Sequence, residues 1–203
     1  MIQVFGSPAS GGTRKVLAAL LETNTPHELK VIDFAKREHK QEPFLARQPF
    51  GQVPAIDDDG FVLFESRAIV RYVSAKAGDK LTPSTLRDRA LMDQWLSVEQ
   101  ANFSPYVMKF VYHHVFNRPQ DEAVLQSAEV EIDKALAILS KALGNRTFLV
   151  GETFTLADLC YMPYFEYMQP TPLREKLAQY PNIAAWWGRL RERDSWRKVT
   201  GRG

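Results

Sequence analysis

The chain has 203 residues, enough for one large domain or two small ones, each with its own core. Its composition, 45% hydrophobic and 25% charged, excludes a largely disordered state. A net charge of +2, with both signs mixed along the chain, lacks the basic patch of a dedicated nucleic-acid binder.

The single cysteine, Cys160, allows no intramolecular disulfide and suits a reducing compartment. No leader pattern is visible at Met1–Phe5, and no apolar run reaches bilayer length. A cytoplasmic protein without a membrane partner is the expectation.

Residues 2–5 read as a strand closed by Gly6-Ser7-Pro8. Gly11-Gly12-Thr13 then opens a helical pattern carried by Val16, Leu17, Leu20 and Leu21. Thr25-Pro26 ends it, and His27 to Ile32 alternates as a second strand. This β-α-β order implies a parallel pair with a right-handed crossover. A short helix is expected near Pro43–Arg47. Ala55-Ile56 and Val62-Leu63-Phe64 flank the turn Asp57-Asp58-Asp59-Gly60 as a hairpin, and a helix follows over Arg67–Ala77. Turn residues cluster over 78–84, which is assigned as a linker. The expected domains are 1–77 and 85–203.

Beyond the linker every pattern is helical. Residues 86–116 read as one long helix kinked at Pro105. Leu125, Ala128, Ile132, Leu136, Leu139 and Leu143 mark an amphipathic helix over 120–143. Thr155 caps a further helix, with Asp158 placed to reach back to it. Pro181–Arg193 is the last long one. Cys160 reads as a core residue.

The fold class is therefore α/β plus all-α: a thioredoxin-like βαβ-ββα domain followed by an all-helical domain. Pro54 sits at the start of the hairpin, where a cis Val53-Pro54 bond leaves the Val53 backbone exposed to pair with a peptide-like ligand. Glu65-Ser66 lies where the last strand passes into a helix, and a hydroxyl with a free N–H there suits a carboxylate. Alone, each is more simply a turn or a cap; their order and spacing after a β-α-β unit point to a site.

The segments Glu38-His39-Lys40, Pro49-Phe50-Gly51-Gln52-Val53-Pro54 and Phe64-Glu65-Ser66-Arg67-Ala68-Ile69 resemble the phi class of the glutathione S-transferases. Trp95-Leu96, Thr153-Phe154-Thr155-Leu156-Ala157-Asp158 and Tyr180-Pro181-Asn182-Ile183 extend the similarity over nearly the whole chain. The resemblance implies a small-molecule cleft between the two domains, with glutathione as co-substrate and a homodimer with Phe50 near its interface. It places the catalytic serine at Ser10. That hydroxyl, just ahead of the first helix, is positioned to face a sulfur at the helix's positive end; Ser7 is the rival, and a third reading makes both serines turn residues only.

By the same resemblance His39 and Lys40 hold the glycine carboxylate, Gln52, Val53 and Pro54 the cysteinyl backbone, and Glu65 and Ser66 the γ-glutamyl end. Phe34, Tyr112 and Phe116 are the candidates for an apolar electrophile site, with ordinary core packing as the alternative. Arg14 either adds positive charge near the thiol or is a solvated or paired surface cation.

No metal is needed. A cysteinyl thiol has a pKa near 8.5, and a fall of roughly two units, about 2.7 kcal/mol, makes thiolate the major form at neutral pH. A hydroxyl donor and a helix N-terminus both favour that anion. His27, His39, His113 and His114 lack ligand spacing.

Conjugation to electrophiles is the expected activity, with hydroperoxide reduction beside it. A glutathione-dependent isomerase and a non-catalytic binding protein of the same fold are the alternatives. A glutaredoxin-like role needs a cysteine near position 10, and there is none.

Overall fold

A computed structural model describes residues 1–203, which form two compact units: 1–82 together with 194–203, and 83–193. The first unit holds a four-stranded sheet of order β2-β1-β3-β4, built from β1 (Ile2–Gly6), β2 (His27–Val31), β3 (Ala55–Asp58) and β4 (Phe61–Phe64). β1 runs parallel to β2 and antiparallel to β3, and β3 and β4 form the predicted hairpin. Alternate residues of β1, Ile2, Val4 and Gly6, are buried, the period-2 pattern of a strand with one face on a core.

That core is closed by α1 (Gly11–Glu22) and α3 (Ser66–Lys76), which pack on each other. Val16, Ala19 and Leu20 of α1 meet Ile69, Val70 and Val73 of α3 with no exposure. A 3-10 turn (Glu38–Lys40) and the one-turn helix α2 (Phe44–Arg47) lie between β2 and β3.

The second unit contains α4 (Leu86–Asn102), α5 (Ser104–His114), α6 (Glu122–Leu143), α7 (Leu156–Met168) and α8 (Pro181–Arg191). The single kinked helix expected over 86–116 is two helices. Phe103 leaves helical geometry (φ −129°, ψ −64°), and Pro105 stands in the first turn of α5. A proline lacks the N–H that the first turn leaves unpaired in any case, so the residue starts a helix here.

The tail also departs from the pattern. Residues 194–203 group with the first unit, through α9 (Asp194–Val199), and not with the helices that precede them. α9 packs on α1, its Trp196 is fully buried, and the Ser195 hydroxyl donates to Glu22.

α7 is buried on nearly every face, as an all-round apolar helix must be. Its N-terminus is fixed by the predicted capping box of Thr155 and Asp158. Asp158 does more than close that box. Fully buried, it also accepts from the Leu149 N–H (2.9 Å) and from Trp186 Nε1 on α8 (2.9 Å). Burial pushes its pKa up, against the pull of the hydrogen bonds from Leu149, Trp186 and Thr155. Trp186 in turn belongs to an aromatic cluster with Phe103, Tyr161 and Phe165, ring centroids 5.3–6.4 Å apart.

Replacing Asp158 orphans buried donors on three different segments. Asp158→Ala is therefore expected to cost about 3 kcal/mol or more, read as a lower denaturation midpoint in urea. A loss below about 0.5 kcal/mol would show the carboxylate to be dispensable.

Candidate functional site

β1 ends at Gly6, and the chain turns through Ser7–Ala9 to Ser10, the N-cap of α1. Ser10 has extended backbone geometry (φ −79°, ψ 128°), and its hydroxyl oxygen accepts from the Thr13 N–H at 3.4 Å. Accepting uses an oxygen lone pair and leaves the hydroxyl proton available. Ser10 therefore stands half-buried at the positive end of a 12-residue helix with a donor to offer. Ser7 differs. Its hydroxyl oxygen accepts from the Ala9 N–H, and its backbone is tied to Thr13. Arg14 donates to the Pro8 carbonyl at 2.8 Å, bracing the same turn.

Gly12 brings the next pieces together. A Cβ on it would lie 2.8 Å from Pro54 Cδ, 3.3 Å from the Val53 carbonyl oxygen and 3.5 Å from Ser66 Cβ. The first turn of α1, the loop ahead of β3 and the first turn of α3 therefore meet at one point. The Val53-Pro54 bond is cis, as the sequence suggests; Glu42-Pro43 is cis as well, which no sequence signal announces. Pro54 and Ser66 are buried, Val53 is half-buried and Gln52 is exposed. Glu65, just ahead of α3, holds φ 70° and ψ 108°. A non-glycine residue there stores strain on the order of 1–3 kcal/mol, a cost found chiefly at functional sites.

A second cluster adjoins it in sequence through Gln52. The Lys40 ammonium donates to the Phe50 carbonyl at 2.9 Å. Gly51 (φ +61°) lies so close that a Cβ would come within 2.5 Å of the His39 carbonyl oxygen, so only glycine fits. The ring of Phe34 lies against His39, centroids 4.4 Å apart. His39 Nδ1 is buried without a partner. Its imidazole pKa sits below the usual value, because desolvation disfavours the cation and Lys40 and Arg37 repel it.

In the helical unit, Tyr112 on α5 and Phe116 lie 6.2 Å apart by ring centroid. Phe116 stands two residues past the end of α5, not one turn along it, and its ring meets Tyr167 of α7 at 6.1 Å. The Arg118 guanidinium lies 5.7 Å from the Tyr112 ring centroid. Tyr167 and Arg118 carry no sequence signal: one reads as core, the other as a surface charge.

The first unit also holds a cavity of about 400 Å³ bordered by Phe5, Lys30, Phe44 and Arg47. None of the predicted site residues lines it.

Residues 2–75 match the glutathione S-transferase N-terminal domain, and residues 95–194 match the glutathione S-transferase C-terminal domain. Glutathione S-transferase F6 of Arabidopsis thaliana is 36% identical over 204 residues, covering 98% of both chains. The crystal structure of glutathione transferase F2 from Populus trichocarpa superposes with a TM-score of 0.94 at 36% identity, covering 100% of both chains. That of glutathione S-transferase I from maize, in complex with an atrazine glutathione conjugate, gives 0.90 at 31% identity over 98% of this chain and 96% of that one. The chain belongs to the glutathione S-transferase family, on the side of its plant phi-class members.

Because Gly12 is the point of closest approach, Gly12→Ala must push α1 from the Val53-Pro54 loop. Glutathione affinity, measured by calorimetry, is expected to fall by about tenfold or more, roughly 1.4 kcal/mol. Unchanged affinity would mean that the approach is not needed for the site.

Proposed function

We propose that this transferase deprotonates the thiol of glutathione at the N-terminus of α1 and adds the thiolate to electrophilic, largely apolar small molecules. The observation that carries this reading is the meeting, at Gly12, of the Ser10-capped helix end with the Val53-Pro54 loop and Ser66. One peptide-sized ligand laid along that junction finds a hydroxyl and helix dipole, an exposed backbone edge and a second helix end.

In this reading the Ser10 hydroxyl donates a hydrogen bond to the thiolate and keeps its proton. The Val53 backbone and Gln52 hold the cysteinyl residue, with Pro54 fixing the loop. Ser66 binds the γ-glutamyl carboxylate, with Glu65 facing the amine. His39 and Lys40 take the glycine carboxylate. Support for that last role comes from the buried, unpartnered Nδ1 of His39 and the neighbouring ammonium.

The thiol proton passes to solvent. The sulfur lone pair then forms the C–S bond, either displacing a leaving group or adding to an activated double bond. Tyr112 and Phe116 of the helical unit, and separately Phe34 of the first unit, are the apolar candidates for the electrophile. Tyr112 and Phe116 form one contiguous ring cluster with Tyr167.

The same thiolate also reduces organic hydroperoxides: two glutathione thiols supply two electrons, giving alcohol, water and glutathione disulfide. A cytoplasmic homodimer acting in detoxification completes the proposal. No helix is long and apolar enough to cross a membrane.

Ser10→Ala tests the chemistry. Turnover at neutral pH is expected to fall by about 10²-fold, with glutathione affinity little changed, because the lost donor faces charge at the reacting sulfur. The pKa of bound glutathione, read from thiolate ultraviolet absorbance, should rise, and raising the pH should recover part of the rate. The variant also loses a helix cap, about 1 kcal/mol of stability, which moves the melting temperature but not the thiol pKa. Identical pKa and turnover in the two proteins would reduce Ser10 to a cap.

Ser66→Ala tests binding in turn. It should weaken glutathione by about 1–3 kcal/mol if a charge-assisted hydrogen bond is lost. Calorimetry showing no change removes Ser66 from the site.

A further inference from the structure

The turn between β1 and α1 is closed by three hydrogen bonds that form a ring. The Ser10 N–H donates to the Ser7 carbonyl (2.9 Å), the Ser7 N–H donates to Thr13 Oγ1 (3.2 Å), and the Thr13 N–H donates to Ser10 Oγ (3.4 Å). Thr13 enters this ring twice, once through its side chain and once through its backbone. It is also the member that cannot move. Its side chain is fully buried. A Cβ on Gly6 would lie 2.5 Å from Thr13 Oγ1 and 2.7 Å from its Cγ2, so the end of β1 is packed directly on this side chain. Ser7 and Ser10, by contrast, are only half-buried.

We propose that Thr13 is a positioning residue for the thiol chemistry: its buried hydroxyl anchors Ser7, and through Ser7 fixes the place and orientation of the Ser10 hydroxyl. The inference rests on Ser10 being the thiolate's donor. It assigns Thr13 no contact with the substrate.

The orientation follows from proton counting. Ser10 Oγ carries one proton and two lone pairs. The Thr13 N–H occupies one lone pair from inside the helix end, which turns the proton away from the helix and toward whatever lies over its N-terminus. Ser10 keeps that alignment only while its own backbone stays on the Ser7 carbonyl. Ser7 in turn is held to the buried wall of the ring only by Thr13 Oγ1. Without that acceptor the Ser7 N–H, in a half-buried turn, must find another partner, and the turn shifts to provide one. A displacement well under an ångström suffices to weaken a hydrogen bond aimed at a charge.

The test is Thr13→Val, which keeps the shape and burial of the side chain and deletes the acceptor. It is compared with Thr13→Ser, which keeps the acceptor and deletes a methyl group, and with Ser10→Ala. Circular dichroism and the melting temperature establish that each variant is folded. Three quantities are then read at several pH values: the pKa of bound glutathione from thiolate absorbance, kcat, and KM for glutathione.

Thr13→Val is expected to raise the thiol pKa and lower kcat at neutral pH by about tenfold, less than Ser10→Ala does, while KM for glutathione changes less than about threefold. Thr13→Ser should stay close to the wild-type pKa and pH profile even where it lowers the melting temperature. A buried threonine with a purely structural role gives the opposite pattern: both variants lose stability and neither moves the pKa. That result overturns the inference. If Ser10→Ala itself leaves the pKa unchanged, the donor role of Ser10 falls and the role of Thr13 falls with it. If Ser10→Ala shifts the pKa and Thr13→Val does not, Thr13 alone is refuted.

Discussion

Everything proposed for the first unit depends on how closely the N-terminus of α1 approaches the loop ahead of β3. A helix end attracts an anion only within about a turn of its unpaired N–H groups, so a ligand must be held there by something outside the helix. At Gly12 nothing larger than hydrogen fits between the helix and Pro54. The absent side chain lets the first turn of α1 meet Val53 and Pro54, more than 40 positions further along, and Ser66 joins them from α3. The sheet register makes this possible. β1 pairs with both β2 and β3, so the chain segments leaving β1 and entering β3 are neighbours at one end of the sheet.

Two helix N-caps in this chain show how one local device serves different ends. At Thr155 the capping group is closed on itself: the hydroxyl donates to Asp158, whose carboxylate is fully engaged by Thr155, Leu149 and Trp186. Such a cap holds structure and offers nothing to a ligand. At Ser10 no acidic residue stands in the first turn of α1, and the hydroxyl is engaged only as an acceptor. The missing carboxylate matters electrostatically too, since an anion built into the first turn would offset the helix end's attraction for a thiolate.

The strands, the hairpin and most helices are legible in the sequence because burial imposes a period on each of them: alternation along β1, three-to-four spacing along α6. The cis Val53-Pro54 bond is legible from its place ahead of the hairpin. What is not legible is set by contacts between distant segments. Pro105 has the same local signature whether it kinks a helix or starts one, and only the conformation of Phe103 decides. Tyr167 reads as core because its partner Phe116 lies 51 positions away and beyond a helix end. Thr13 and Gly6 look like an ordinary first-turn threonine and an ordinary turn glycine; their packing on each other has no one-dimensional trace.

The placement of α9 bears on the order in which the chain is made. Residues 194–203 leave the ribosome after the whole of 83–193, yet they complete the unit that holds residues 1–82. Until then the flank of α1 that Trp196 covers is bare, and Glu22 lacks the Ser195 hydroxyl. Domains generally fold as they emerge, first segment first. Here the helical unit of 83–193 is wholly synthesised while the first unit still waits for α9. The first unit is thus completed only after the helical unit has been made, and a chain cut short before residue 194 carries the sheet without the helix that packs on α1.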